Sequence, residues 1–167
     1  MPAAYYDIIT DEGSSFRLKI KFMDKNKKSV NLLNPPVETI EGFEDRFPKD
    51  SNNNILPFKA YVRMQVRDSV DGDIIPIEGD SDLIGNLSGQ SDLSYSNIQI
   101  QTKDGGINNN EANIILTIQS NIMSSVNYGN FLYDIEVIFS QDIINHPNAV
   151  VYRILQGRFV VTPNITR

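Results

Sequence analysis

Between residues 129 and 163 apolar and polar positions alternate in two runs separated by a polar break. In the first run Phe131, Tyr133, Ile135, Val137 and Phe139 fall on one side, and Asp134 and Glu136 on the other. That period of two is the mark of a half-buried strand. The second run, residues 150–162, is rich in β-branched and aromatic residues, which favour strands. The break at residues 142–148 contains His146-Pro147-Asn148, a turn-type cluster. Together the runs predict a long antiparallel hairpin with one face in the core. Gly157 interrupts the second run: Val150, Tyr152 and Ile154 share a face before it, Phe159 and Val161 after it. A bulge is expected at that glycine.

The rest of the chain shows the same period in shorter pieces. Residues 5–10 are a short apolar run. Residues 16–24 alternate most cleanly, with Phe16, Leu18, Ile20 and Phe22 facing one way and Arg17, Lys19 and Lys21 the other. A turn at residues 24–28 leads to a short returning strand expected at 30–33, stopped by Pro35-Pro36. In residues 60–68, Val62, Met64 and Val66 point inward and Tyr61, Arg63, Gln65 and Arg67 outward. Asp71-Gly72 is a hairpin-type turn, and residues 73–77 return briefly, ending near Pro76. Residues 97–103 alternate weakly, Asp104-Gly105-Gly106 turns the chain, and residues 113–119 put Ile114, Leu116 and Ile118 on one face. Residues 120–128 suit one helical turn capped by Ser120 or Asn121. Two stretches, near residues 37–57 and 78–95, read as long loops. About seven to nine short strands without long helical periodicity predict an all-β fold: one antiparallel sandwich domain spanning residues 1–167.

Composition narrows the chemistry. A chain of 167 residues can bury a core without covalent staples. It has no cysteine and one histidine, which excludes disulfides, thiolate metal sites and clusters of imidazoles within one chain. A formal net charge of −6 disfavours nucleic acid unless basic residues gather on one face. No apolar run approaches the roughly 18 residues of a membrane span. The opening residues lack the basic and apolar regions of a signal peptide, so synthesis and folding in a cytoplasm are expected.

The order of elements resembles a known family. It runs from Phe16-Arg17-Leu18-Lys19-Ile20 through Tyr61-Val62-Arg63-Met64-Gln65-Val66-Arg67 and Ile114-Ile115-Leu116-Thr117-Ile118. It ends in Gly129-Asn130-Phe131-Leu132-Tyr133-Asp134-Ile135-Glu136-Val137, followed by the last strand at 151–163 and the tail to Arg167. From Tyr6 to Arg167 this resembles the small immunoglobulin-like β-sandwich of bacteriophage tail and baseplate proteins, including the N-terminal domain of upper baseplate proteins. The resemblance implies a virion structural protein, present in multiple copies of a symmetric assembly and docked to other tail or baseplate proteins. With no fibre or enzyme domain after Arg167, a stand-alone assembly subunit is the expectation. A host-surface carbohydrate-binding module is the alternative. Its aromatic platform would come from Tyr61, Tyr95 or Tyr128, since tryptophan is absent.

Individual candidate sites read as structural. Asp68, Asp71, Asp73, Glu78, Asp80 and Asp82 offer hard oxygen ligands, but their spacing is not that of an EF-hand and a solvated loop is expected. His146 has no nucleophile placed near it by sequence and reads as a turn residue. Asp134 and Glu136 stand about 7 Å apart on one strand face, a separation glycosidases use. Arginine or lysine partners across the sheet are the expectation here. Ser14 and Ser15 follow Gly13 without a nucleophile elbow. Arg17, Lys19, Lys21, Arg63 and Arg67 form either a patch for an acidic partner or, as expected, pairs with acidic neighbours. Leu132, Ile138 and Tyr61 are apolar on the outer face, which an assembly would cover. No catalytic residue, cofactor or metal ligand is assigned.

Overall fold

The alternating segments become nine strands and one helical turn among the residues that the computed structural model describes, 3–36, 49–68, 74–80, 99–124, 126–140 and 150–163. In chain order they are β1 (Ala4–Tyr5), β2 (Ile8–Asp11), β3 (Phe16–Ile20), β4 (Lys59–Arg67) and β5 (Ile74–Asp80). β6 (Gln99–Thr102), β7 (Ile114–Ile118), α1 (Ser120–Met123), β8 (Gly129–Ser140) and β9 (Val150–Thr162) follow. The fold is all-β, in two sheets. The larger runs β1-β9-β8-β4-β5, with β2 continuing β1 along β9; the smaller runs β3-β7-β6.

The expected hairpin is the centre of the larger sheet. β8 pairs antiparallel with β9 on one side and with β4 on the other. Its inward side chains Tyr133, Ile135, Val137 and Phe139 are buried, as are Val62, Met64 and Val66 of β4. From the smaller sheet Ile100, Ile114, Leu116 and Ile118 enter the same cluster. Each such side chain contributes about 1.5–3 kcal/mol by leaving water. Phe16 meets Phe159 edge to face at 6.2 Å, and Phe22 meets Phe139 at 6.3 Å, so the sheets are registered at both ends of β3.

The bulge in β9 is not at Gly157. Ile135 pairs with Leu155 and Glu136 with Arg153, so Ile154 is the extra residue. An inserted residue shifts the phase of a strand by one, which moves the inward face from Val150 and Tyr152 to Phe159 and Val161. Gly157 itself faces Tyr133 across the ladder and answers a different constraint. A Cβ there would collide with the carbonyl of Tyr6. The glycine lets the N-terminal chain lie close against β9.

That N-terminal chain departs from a purely antiparallel fold. β1 and β2 run parallel to β9, with Ala4 beside Leu155 and Asp11 beside Thr162. Only Ile8 in this edge is fully buried; Tyr5, Tyr6 and Ile9 are exposed. At the joint, the Tyr133 hydroxyl donates to the Tyr6 carbonyl at 2.6 Å. The Asp7 carboxylate accepts from Arg158 Nε at 3.1 Å and Nη2 at 2.6 Å. The Arg158 guanidinium and backbone N–H hold the Asp7 pKa below the usual carboxylate value.

Other expected boundaries move. β3 ends at Ile20, and no returning strand forms at 30–33. That segment is coil with Val30 and Leu32 buried, and a side chain replaces the ladder. Asn113 Nδ2 donates to the carbonyls of Phe22 and Val30 at 2.8 Å each, and its Oδ1 accepts from Phe22 N–H at 2.8 Å. β5 continues through Pro76 to Asp80. Its register against β4 is irregular between Gln65 and Arg67, which is where an edge strand tolerates proline. Residues 78–80 of the second expected loop therefore belong to β5, and its remainder, 81–95, lies outside the described residues. α1 is capped by Gln119 with no side-chain cap bond; Ser120 instead accepts, through its carbonyl, from Ser124 Oγ at 2.7 Å.

Two substitutions test this account. Asn113→Ala strips three hydrogen bonds from a fully buried site and is expected to cost about 2–4 kcal/mol in urea unfolding; a loss below about 1 kcal/mol would remove Asn113 from its bridging role. Gly157→Ala is expected to push Tyr6 away, accelerating amide exchange at Tyr6 and Glu12 while β7 stays protected, at a cost of about 1–3 kcal/mol. Unchanged exchange at those two amides would reject the close-approach explanation.

Candidate functional site

The outward face of β9, β8 and β4 forms an open concavity of about 730 Å³. Alternation puts polar residues there. β4 contributes Arg63, Gln65 and Arg67, and β8 contributes Leu132, Asp134 and Glu136. Register fixes who meets whom: Arg63 lies opposite Glu136 and Gln65 opposite Asp134. On the other side the bulge decides the partner. A regular ladder continuing from the Asp134–Gln156 pair would set Ile154 against Glu136; the inserted residue sets Arg153 there instead.

The result is a chain of alternating charges. Arg63 Nη2 is 2.5 Å from Glu136 Oε2. Arg153 Nη2 lies 3.3 Å from Asp134 Oδ2 and 3.5 Å from Glu136 Oε1, bridging the two carboxylates. Glu136 is the most enclosed member, its side chain 12 % exposed, while the Arg153 side chain is 51 % exposed. Arg67 Nη2 donates to Gln65 Oε1 at 2.9 Å. Burial raises the Asp134 pKa above the usual carboxylate value, and repulsion from Glu136 adds to this. Arg153, Arg63 and Arg67 pull it back only in part. Burial above all also pushes the Tyr133 hydroxyl up, so it remains a donor at neutral pH. Tyr5, 66 % exposed, stands at the rim.

The Asp134–Glu136 pair thus meets arginines across the sheet, and both carboxylates are held in ion pairs. Among the described lining residues there is no serine, threonine, cysteine, lysine or histidine. What the face presents is a fixed array of donors and acceptors, suited to recognising polar groups by hydrogen bonding.

The remaining candidates are dispersed. Arg17 and Lys19 lie on β3, in the other sheet, opposite Thr117 and Ile115. They form no single patch with Arg63 and Arg67. Of the expected exposed apolar residues Leu132 is exposed, but Tyr61 and Ile138, paired across β4 and β8, are 5 % and 3 % exposed. Tyr61 is therefore not available as a sugar platform; Tyr128 is exposed. Asp68 follows the end of β4, and Glu78 and Asp80 lie on β5. Asp71, Asp73, Asp82, Tyr95 and His146 lie outside the described residues. Among the described residues no three His, Cys, Asp or Glu side chains group as metal ligands, and no helix is long and apolar enough to cross a membrane. Ser14 sits in a turn closed by its N–H to the Asp11 carbonyl at 3.1 Å. Sequence reasoning passed over Arg153 and Gln156. The phase break in the last strand was their signal, but it was attached to Gly157.

Comparison of the chain with protein-family models, curated proteins and solved structures returns no match.

Asp134→Asn reports on this face. Because the folded-state pKa is raised above 3.8, the ionised carboxylate opposes folding at neutral pH. That opposition is relieved as the pH falls through the raised pKa and is gone below the unfolded value. The variant is expected to melt slightly above the parent at pH 7, with the gap closing as the pH falls toward 3.8. A lower melting temperature at pH 7 would mean that the Arg153 pairing outweighs burial.

Proposed function

We propose that this protein is a structural subunit of a bacteriophage tail or baseplate, an immunoglobulin-like sandwich that acts by docking to neighbouring proteins. The observation that carries the reading is the coincidence of motif and architecture. Two of the segments that carry the resemblance to the phage family, residues 129–137 and 151–163, are paired strands at the middle of the larger sheet. Strand order supports the immunoglobulin-like assignment. With the N-terminal strand pair as A′ and the rest lettered in order, the larger sheet reads A′GFCC′ and the smaller BED, an arrangement of variable-type sandwiches. The outer face of the larger sheet fits a docking role: its charges are already paired and its concavity is open. A protein partner can exchange hydrogen bonds with such a face without first desolvating bare charges.

Immunogold labelling of virus particles from the source lysate tests the proposal. Gold confined to the tail end is the expected outcome. Intact particles without gold, in a preparation whose disrupted samples do label, would overturn it.

A further inference from the structure

One row of side chains on the charged face is not satisfied within the protein. Register sets Gln65 of β4 opposite Asp134 of β8, Asp134 opposite Gln156 of β9, and Gln156 opposite Tyr5 of β1. The four cross the sheet in a line, about 5 Å apart from strand to strand, and all four line the concavity. Arg63, Glu136 and Arg153 flank the line on one side, and Arg67 and Leu132 on the other.

The flanks are hydrogen-bonded and the middle of the line is not. Glu136 Oε2 accepts from Arg63 and its Oε1 from Arg153, while Arg67 donates to Gln65. Asp134 has the charge contact of its Oδ2 with Arg153 at 3.3 Å, and among the described residues it accepts no hydrogen bond. Its side chain is 30 % exposed. The half-buried Gln156 side-chain amide has no hydrogen-bond partner among the described residues either. Its position is set by the backbone, since the Gln156 carbonyl accepts from Tyr6 N–H at 2.9 Å. An ionised carboxylate calls for donors and an amide for both donors and acceptors. Partly withdrawn from water, such groups reward a molecule that supplies them.

The surrounding charges select against an ionic ligand. An anion over the line would meet the Asp134 carboxylate and would have to displace guanidiniums already engaged with Glu136 and Gln65. A cation approaching Asp134 would meet Arg63, Arg67 and Arg153, all close enough to act on that carboxyl. We propose that the line from Gln65 through Asp134 and Gln156 to Tyr5 binds a neutral saccharide. A hydroxyl donates and accepts at once, so adjacent hydroxyls of one ring donate to Asp134 and pair with the Gln156 amide. Tyr5, exposed at the end of the line, offers a flat apolar face for the C–H side of a sugar ring. The volume of about 730 Å³ lies within the usual range for small-ligand sites, about 300–1,000 Å³. A protein surface can cover this face, but the line itself offers no apolar pocket for an anchoring side chain. The inference does not rest on the virion reading, since a tail subunit can dock through edges and loops and still hold a sugar here.

A saccharide array and amide NMR, both on the full chain, test it. Neutral oligosaccharides are expected to give the array signal. At least one of glucose, galactose, mannose and N-acetylglucosamine, each at tens of millimolar, is expected to shift the Gln156 side-chain amide and the backbone amides of Tyr5, Asp134 and Arg153, with β7 unmoved. Gln156→Ala and Asp134→Ala are each expected to weaken that binding about tenfold with unchanged circular dichroism. Tyr128→Ala, outside the concavity, is expected to leave it intact. Absence of both array signal and shifts would overturn the proposal, as would binding confined to charged saccharides or binding indifferent to Gln156→Ala. Shifts at the same amides produced by a tryptic digest of serum albumin, and by none of the sugars, would make a protein segment the occupant instead. None of these outcomes bears on the gold labelling, which tests the virion reading separately.

Discussion

The constraint on which the structure depends is the register of β8. It is hydrogen-bonded on both edges, and its inward residues Tyr133, Ile135, Val137 and Phe139 reach the middle of the core. Slipping it by one residue would turn that face to solvent and bury Asp134 and Glu136. The cost of burying two carboxylates away from their arginines exceeds any gain from alternative pairing. The same register that makes the core therefore makes the charged face outside it. Core and candidate site are two sides of one strand, and a single register positions both.

Much of this was readable from alternation alone. β3, β4, β7 and β8 each turn one apolar face to the shared core, and a period of two survives in their sequence. The N-terminal edge was not readable as a parallel partner of β9, because Tyr5, Tyr6 and Ile9 are exposed and only Ile8 is fixed in the core. What holds it, Gly157, Arg158 and the Tyr133 hydroxyl, lies more than a hundred residues away. The bulge was visible as a change of phase but was assigned to the nearest glycine. A bulge requires an additional residue, whatever its type, and Ile154 supplies it. Tyr61 and Ile138 show a further limit: alternation tells which face a residue takes and says nothing about what lies over that face.

Polar side chains do at one pole what ladders do elsewhere. Asn113, Asp24 and Asp50 each satisfy several backbone groups in segments that form no sheet. Such groups cannot be left bare without cost, so short side chains at turns substitute for a neighbouring strand. This explains how residues 21–34 can be irregular and still bury Val30 and Leu32. Local backbone demand, rather than ion pairing, determines where the Asp24 and Asp50 carboxylates point.

The parallel pairing of β2 with β9 also has a mechanical meaning. The chain enters this pair at Ile8 and leaves it at Thr162, at opposite ends of the same ladder. Tension drawn along the backbone through those two points runs parallel to the strands. It falls on every rung together, as shear, instead of opening the rungs in succession like a zipper. The Asp7–Arg158 fork and the Tyr133 latch lie at the loaded end of that row. A domain built this way resists being pulled apart lengthwise more than its few buried N-terminal side chains would suggest.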